Sequence, residues 1–247
     1  MPIIYLSPST QEYNLFVNGG NEEEVMNQIA DAMVPYLRAN GIRYSRNSPS
    51  GNVSASIAQS NAGNYDLHVA IHSNASPENR AGQLQGTDIY YQATNWRSKH
   101  FADILANNFK NIYPNPNMVD TRTTTSLSEV LRTRAPAVLI EVAYHDNPED
   151  AAWIKENIDA IARTIVLSIT EYFGLPFIQP GPAKTGTVNT GGPSLLIRDR
   201  PNTGSTVLGR IPNGAQVTVY GISPTYWFSI GYNGSYGFVS GDFVDIS

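Results

Sequence analysis

The stretch "APAVLIEVAY", residues 135–144, is apolar at almost every position, and Glu141 is its one charged residue. A strand that is apolar on both of its faces is typical of a parallel sheet covered by helices on either side. Residues 2–6 and 65–72 are also predicted to be strands, because short apolar runs there end in turn-forming or polar residues. The central strand therefore predicts a layered fold built on a mostly parallel sheet.

Helical segments alternate with these strands. Apolar residues recur at helical spacing in residues 22–39, 96–112 and 147–173, and residues 52–62 show a weaker helical pattern. Asn147 can cap the last of these helices, Pro148 suits its first turn, and Gly174 can end it. Strands alternating with helices predict an α/β domain spanning residues 1–174.

The chain changes character after this domain. The segment "LPFIQPGPAKT", residues 175–185, is rich in proline and reads as a linker. In residues 186–247, short β-rich runs are separated by turn signals such as "PNTG", "PNG" and "YNGSYG". This pattern predicts a small β-barrel as a second domain.

Composition excludes several classes of function. The formal net charge of −5 provides no basic surface for nucleic acid. The absence of cysteine excludes disulfides and thiolate metal sites. The N-terminus lacks the pattern of a signal peptide, and no run approaches the roughly 20 apolar residues of a membrane span. We therefore expect a protein made in the cytoplasm, without a membrane span.

Two residues stand at the carboxyl ends of predicted buried strands, where α/β sheets bind ligands. One is His72, in "YDLHVAIHSNAS" at residues 65–76, and the other is Glu141. A carboxylate at the end of an apolar run suits proton transfer, because burial raises its pKa. The alternative is a glutamate that simply faces water. A metal site would have to combine histidines with carboxylates or amides.

The motifs "DLHVAIHSNA" and "PAVLIEVAYHDN" resemble the zinc-dependent N-acetylmuramoyl-L-alanine amidases, which cleave bacterial cell wall. The resemblance covers residues 1 to about 173. It implies that His72 and Glu22 bind zinc and that Glu141 is the catalytic residue. Glu23 and Glu24 are rivals to Glu22, although an acidic first helical turn facing solvent explains them better.

The chain departs from this family at its first zinc histidine. The family places that residue in a segment like "DPGHGG", whereas this chain has "LSPSTQE" at residues 6–12. His145 is the expected substitute, because it follows Glu141 by four residues in the loop leaving the same strand. Gln11 is the alternative ligand, although amides bind zinc poorly. If His145 does not bind zinc, we expect it to hold substrate or stabilise the oxyanion.

Three further residues have less certain assignments under this resemblance. Arg132 matches a position near the cleft of the family, where it could bind a substrate carboxylate, but a surface arginine is an equal alternative. His68 is in phase with His72 along the strand, so it is expected to pack beneath the site. His100 is expected at the surface.

The second domain resembles bacterial SH3-like domains in "LLIRDRPNTGSTVLGRIPNGAQVTVYG" and "YWFSIGYNGSYGFVSGDFV". Such modules often bind wall peptides. The resemblance suggests a groove lined by aromatic residues, although small barrels also use aromatics as core. The candidates are Tyr226, Trp227, Tyr232 and Tyr236.

Together these resemblances imply hydrolysis of the amide between N-acetylmuramic acid and L-alanine, with Zn2+ as cofactor and bacterial peptidoglycan as partner. Without a signal peptide, a phage endolysin or a mother-cell lytic enzyme that reaches the wall after release fits best. A zinc peptidase acting on stem peptides and a non-catalytic wall-binding relative are the alternatives. The sequence leaves the oligomeric state open.

Overall fold

The computed structural model describes residues 1–247, which form two compact units. One unit comprises Ile3–Met33 and Tyr44–Tyr172. The other comprises Met1–Pro2, Val34–Arg43 and Phe173–Ser247. None of the helices combines the length and the apolar character that crossing a membrane requires.

The six N-terminal strands form one sheet. They are β1 (Ile3–Pro8), β2 (Arg43–Arg46), β3 (Leu67–Asn74), β4 (Thr87–Tyr91), β5 (Val119–Thr123) and β6 (Ala137–Tyr144). Their order across the sheet is β2-β1-β3-β6-β4-β5. The pairs β1–β3, β3–β6 and β4–β5 are parallel, and β4–β6 is antiparallel. The predicted α/β fold with a mostly parallel sheet is therefore confirmed.

Helices accompany this sheet. They are α1 (Glu22–Ala39), α2 (Val53–Ala62), α3 (Trp96–Phe109), α4 (Ser128–Arg132), α5 (Pro148–Glu156) and α6 (Ile158–Tyr172). The first helix has the predicted bounds, and its apolar stripe is buried, with Met26, Ile29, Met33 and Leu37 each at 0% exposure. Asn52 and Asn95 cap α2 and α3 by accepting backbone N–H groups. These caps place both helix starts where the sequence predicted them.

The prediction of one continuous helix over residues 147–173 was wrong. The segment begins as expected, since the Asn147 side chain accepts the backbone N–H groups of Glu149 and Asp150. It breaks at Asn157, whose backbone leaves the helical region with φ −119° and ψ 22°. The Asn157 side-chain amide donates to the Trp153 carbonyl at 2.8 Å. The backbone carbonyl of Asn157 accepts the N–H of Ile161 at 2.9 Å. One residue thus ends α5 and starts α6.

The C-terminal strands form a seven-stranded sheet. They are β7 (Lys184–Val188), β8 (Leu195–Arg198), β9 (Val207–Ile211), β10 (Gln216–Ile222), β11 (Trp227–Tyr232), β12 (Ser235–Ser240) and β13 (Val244–Ile246). The order is β13-β7-β10-β11-β12-β8-β9, and neighbouring strands are antiparallel. Alternate residues along the strands, including Val217, Val219, Phe228 and Ile230, build its apolar core. This arrangement agrees with the small β domain expected from the turn signals.

The segment expected as a linker is held in place at one residue. Ile178 is 2% exposed. Its N–H donates to Asn40 Oδ1 at 2.6 Å, and its carbonyl accepts from Asn40 Nδ2 at 2.9 Å. Both residues belong to the unit that contains the C-terminal sheet. This part of the segment is therefore ordered by a buried side chain.

Candidate active site

A cavity of about 420 Å³ opens at the carboxyl edge of the first sheet. His72 near the end of β3 and Glu141 on β6 are register partners in this parallel pair, so their side chains share one face. Both residues line the cavity. The other residues that bring polar side chains to it include Ser7, Ser9, Thr10, Gln11, Asn47, Asn52, Ser56 and Glu129.

Glu22 reaches this site from the first position of α1. Its side chain is 1% exposed, and Oε1 lies 2.9 Å from His72 Nδ1. Oε1 also accepts the Ser73 N–H at 3.2 Å, and Oε2 accepts Asn14 Nδ2 at 2.5 Å. Burial alone would raise the pKa of Glu22, but hydrogen bonding and charge attraction from His72 outweigh it and lower that pKa.

The rival glutamates of the first helical turn point elsewhere. Glu24 is exposed, and the half-buried Glu23 accepts Asn27 Nδ2 through its own side chain at 3.2 Å. Neither contacts His72. Of the three adjacent carboxylates, Glu22 is the one that the helix start directs into the site.

Gln11 faces the same nitrogen of His72. Its Nε2 lies 3.3 Å from His72 Nδ1. Its Oε1 accepts the hydroxyl of Tyr13 at 2.9 Å and Nδ2 of Asn14 at 3.2 Å. Asn14 therefore bridges Gln11 and Glu22, and the structure collects these two side chains around one face of His72.

The structure places His145 differently. Its Nδ1 faces the hydroxyl of Ser73 at 3.0 Å and the Ser73 carbonyl at 3.1 Å. Its ring is 4% exposed and packs against Phe16, with the ring centres 5.6 Å apart. No hydrogen bond or ion pair joins His145 to Glu22 or His72. No cluster of three histidine, aspartate or glutamate side chains is arranged to hold a metal ion.

Glu141 has a free carboxylate oxygen inside the site. Its Oε2 is buried and has no hydrogen-bond partner. Burial raises the pKa of Glu141 to about 7, against a smaller opposite effect of His72, and the nearby charges of Glu22 and Asp88 add to the rise. A carboxyl group with such a pKa can accept and return a proton near neutral pH.

Glu129 is a site residue that the sequence reading missed. It lies on the short helix α4, and its side chain is 4% exposed. Oε1 accepts from Ser7 Oγ and lies 3.2 Å from His68 Nε2, while Oε2 lies 3.5 Å from His72 Nε2. Burial opposes its ionisation, but the bonds from His68 and His72 lower the pKa of Glu129 to about 2. No local pattern in "SLSEVLR" marks this residue, because its partners come from distant segments.

The remaining sequence candidates lie outside the cavity lining. His68 is fully buried and its Nδ1 contacts Ser60 Oγ at 2.9 Å, consistent with the expected position beneath the site. Arg132 is exposed. Its backbone carbonyl accepts a hydrogen bond from Asn61 Nδ2 at 2.8 Å. His100 is exposed, beside the ring of Tyr172. The structure thus brings Glu22, His72, Glu141 and Gln11 together.

The donor atoms around His72 fit a zinc ion. Glu22 Oε1 and His72 Nδ1 are 2.9 Å apart, and the amide end of Gln11 lies beside the same nitrogen, with its Nε2 at 3.3 Å. Donor atoms about 2.0–2.1 Å from one tetrahedral zinc lie roughly 3.3 Å from each other. In the metal-free ring, a proton on Nδ1 would let His72 donate to Glu22 Oε1. Burial lowers the pKa of His72, but the bonds to Glu129 and Glu22 outweigh burial and raise that pKa to about 10. The side chains that could hold a metal ion here are an imidazole, a carboxylate and an amide, the last of which is a weak zinc ligand.

The C-terminal sheet carries a second cavity, of about 240 Å³. Trp227, Phe243 and Arg198 line it. Of the other aromatic candidates, Tyr226 is 53% exposed, Tyr232 packs on the apolar core, and Tyr236 stacks on Tyr220. Trp227 is thus the predicted aromatic residue that borders a cavity of this unit.

The C-terminal region matches the family model of the bacterial SH3 domain over residues 193–245. A search of curated proteins finds no match to the chain.

Solved structures share the fold of the first unit. The catalytic domain of the amidase CwlV from Bacillus (Paenibacillus) polymyxa var. colistinus is 21% identical with a TM-score of 0.61, covering 70% of this chain and 99% of its own. The amidase Ami1 from Mycobacterium smegmatis is 18% identical, with a TM-score of 0.60 and coverages of 70% and 97%. The catalytic domain of the CD27L endolysin, which targets Clostridia difficile, is 20% identical, with a TM-score of 0.57 and coverages of 69% and 97%.

The family model that describes N-acetylmuramoyl-L-alanine amidases matches residues 10–171. This match spans well over half of the 247 residues and includes Gln11, Glu22, His72 and Glu141. The chain belongs to the N-acetylmuramoyl-L-alanine amidase family.

Proposed function

We propose that this chain hydrolyses the amide bond between N-acetylmuramic acid and L-alanine in peptidoglycan, with a zinc ion bound by Glu22, His72 and Gln11. The observation that carries the proposal is the convergence of Glu22 and Gln11 on His72 Nδ1, at 2.9 and 3.3 Å, while Gln11, His72 and Glu141 line one cavity. When bound, zinc would polarise the scissile carbonyl and lower the pKa of a water molecule.

The third ligand distinguishes this chain from the pattern of its family. Gln11 would bind zinc through its carbonyl oxygen, so its amide must turn by half a rotation from the orientation in which Nε2 faces His72. His145 remains the alternative ligand. Its Nδ1 is engaged by Ser73, so ligation by this atom would require those contacts to be given up. A turned Gln11 amide also gives up the bonds that its Oε1 accepts from Tyr13 and Asn14, but Gln11 already lies beside His72 Nδ1, whereas His145 makes no hydrogen bond to His72. Proximity to His72 therefore favours Gln11.

Glu141 is the proton carrier in this proposal. Its unpartnered Oε2 accepts the proton of the attacking water and later delivers it to the α-amine of the departing L-alanine. The pKa of about 7 suits both steps, because the group can hold and release a proton near neutral pH. The burial of Glu141 also keeps bulk water from competing for that oxygen.

The C-terminal unit would hold the enzyme on the wall. We assign catalysis to residues 1–174, the connection to residues 175–185 and wall binding to residues 186–247. The cavity beside Trp227 and Arg198 offers an apolar surface and a cation to a wall peptide. Such tethering raises the local substrate concentration for the catalytic unit. An endolysin or a mother-cell lytic enzyme is the biological role that we propose.

Digestion of purified peptidoglycan tests the function. We expect new N-terminal alanine and intact glycan strands, with loss of activity on chelation and recovery on adding zinc. A peptidase would instead release other new amino termini and leave the bond to the lactyl group intact. A non-catalytic relative would bind walls and release neither product. Full activity in a strong chelator would exclude the zinc mechanism.

A further inference from the structure

We propose that Glu129 is a positioning residue that orients the ring of His72, so that Nδ1 faces Glu22 and Gln11. The inference rests on the proposed function, because it assigns His72 to the zinc site. Glu129 belongs to α4, which lies far along the chain from Gln11, Glu22 and His72. Its role concerns Nε2 of His72, the ring nitrogen that does not face Glu22 and Gln11.

The contacts of Glu129 connect three side chains, from two strands of the sheet, to one carboxylate. Oε1 accepts the hydroxyl of Ser7 on β1 and lies 3.2 Å from Nε2 of His68 on β3. Oε2 lies 3.5 Å from Nε2 of His72, which follows His68 on β3 and lies on the same face of the strand. With 4% exposure, the carboxylate has little access to solvent in place of these partners.

The contacts of Glu129 favour one tautomer of the neutral, zinc-binding His72 ring. An ionised carboxylate only accepts hydrogen bonds, so Ser7, His68 and His72 must all donate to it. His72 therefore carries a proton on Nε2. In the neutral ring the other nitrogen then has a free lone pair, and that nitrogen is the one that faces Glu22 and Gln11. A carboxylate bonded to the distal nitrogen also restrains rotation of a metal-binding imidazole.

A matched buried carboxylate elsewhere in the same unit provides a control. Asp150 is 2% exposed and accepts the hydroxyl of Tyr113 at 2.6 Å and the N–H groups of Gly86 and Tyr144 at 3.1 and 3.0 Å. Neither Asp150 nor these partners line the cavity of His72. Its replacement removes a buried charge with three donors and leaves the site residues untouched.

The experiment compares Glu129→Gln, Asp150→Asn and the unchanged full-length chain. We would measure the zinc dissociation constant, the visible d–d spectrum with cobalt(II), and the unfolding temperature without metal. We expect Glu129→Gln to weaken zinc binding by about 10- to 100-fold and to shift the cobalt spectrum. Asp150→Asn should lower the unfolding temperature with zinc affinity and cobalt spectrum unchanged. Glu129→Asp, which keeps the charge but shortens the reach to His72, decides the question if the Gln variant does not fold, and should also weaken zinc binding.

The outcomes separate this inference from the proposed function. If the unchanged chain binds no zinc, the zinc site fails and the role of Glu129 fails with it. If the unchanged chain binds zinc and the Glu129 variants match its affinity and cobalt spectrum, the zinc site stands and the positioning role is overturned.

Discussion

His72 and Glu141 are register partners on the parallel strands β3 and β6, and Asp88 is the partner of Glu141 on its other side. Glu141 therefore lies between a histidine and a second carboxylate on one face of the sheet. His72 lowers the pKa of Glu141 and Asp88 raises it, but burial is the largest effect and brings it to about 7. The sheet register thus places a proton-accepting group beside the histidine that we propose as a zinc ligand.

The first prediction concerns proton transfer. Changing Glu141 to Gln keeps the shape of the side chain and removes the base, so kcat on a soluble muropeptide should fall by about 10²-fold or more. Zinc content should stay near that of the unchanged chain, because Glu141 is not a proposed ligand. Kinetics and metal analysis of the same preparation check both points. Loss of zinc together with activity would place Glu141 among the ligands.

The second prediction concerns the pH dependence of stability in the metal-free protein. The pKa of Glu141 is about 7 in the folded state, against an ordinary value of 4.5 for a glutamate exposed to water. Between these values the folded state holds a proton that the unfolded chain has released, so the free energy of unfolding falls as pH rises. The total effect is roughly 3 kcal/mol. Glu141→Gln should remove this part of the slope.

Urea unfolding in the presence of a chelator, at several values between pH 4.5 and pH 8, measures the effect. The difference in unfolding free energy between Glu141→Gln and the unchanged chain should grow in favour of the variant as pH rises. A difference that does not vary with pH would contradict the raised pKa.

The third prediction concerns the third zinc ligand. Gln11→Ala should weaken zinc binding by about tenfold or more, because it removes a side chain that faces His72 Nδ1. His145→Ala should leave zinc affinity within a few-fold, because its Nδ1 contacts Ser73. Titration of zinc into both metal-free variants distinguishes the two residues. The opposite ranking would assign the ligand to His145, as the sequence suggested.

The fourth prediction concerns the anchoring of the connecting segment. Asn40→Ala removes the side chain that bonds both backbone groups of the buried Ile178. The unpaired groups should lower the free energy of unfolding by about 1–3 kcal/mol. Asn107→Ala, at an exposed position of α3, is the control and should change it by less than about 0.5 kcal/mol. Equal effects in urea unfolding would mean that the Asn40 bonds contribute nothing specific.

The fifth prediction concerns wall binding. Trp227→Ala should reduce binding to insoluble walls by about tenfold, since it removes an aromatic surface from the cavity of the C-terminal unit. Its kcat/KM on a soluble muropeptide should not change. Leu208→Ala is the control, because Leu208 is 48% exposed and does not line that cavity. Unchanged wall sedimentation by the Trp227 variant would remove this cavity from the proposal.

Much of the fold follows from local patterns. The apolar run at residues 137–144 became the central strand β6, and the stripe that includes Met26 and Met33 became the buried face of α1. Other elements had no such pattern. Strand β5 lies at the sheet edge with mostly polar, exposed residues, so its sequence carries no apolar alternation. The break at Asn157 depended on hydrogen bonds that apolar periodicity does not report.

The sequence by itself determined that His72 and Glu141 would meet, because the carboxyl ends of parallel strands lie at one edge of a sheet. It also marked Glu22 through the start of α1. Only the tertiary structure decided between Gln11 and His145 as neighbours of His72, and only it revealed Glu129. Loop conformation and contacts across 122 residues, as between Ser7 and Glu129, control those positions. Such contacts arise from packing of the whole unit, and no local spacing encodes them.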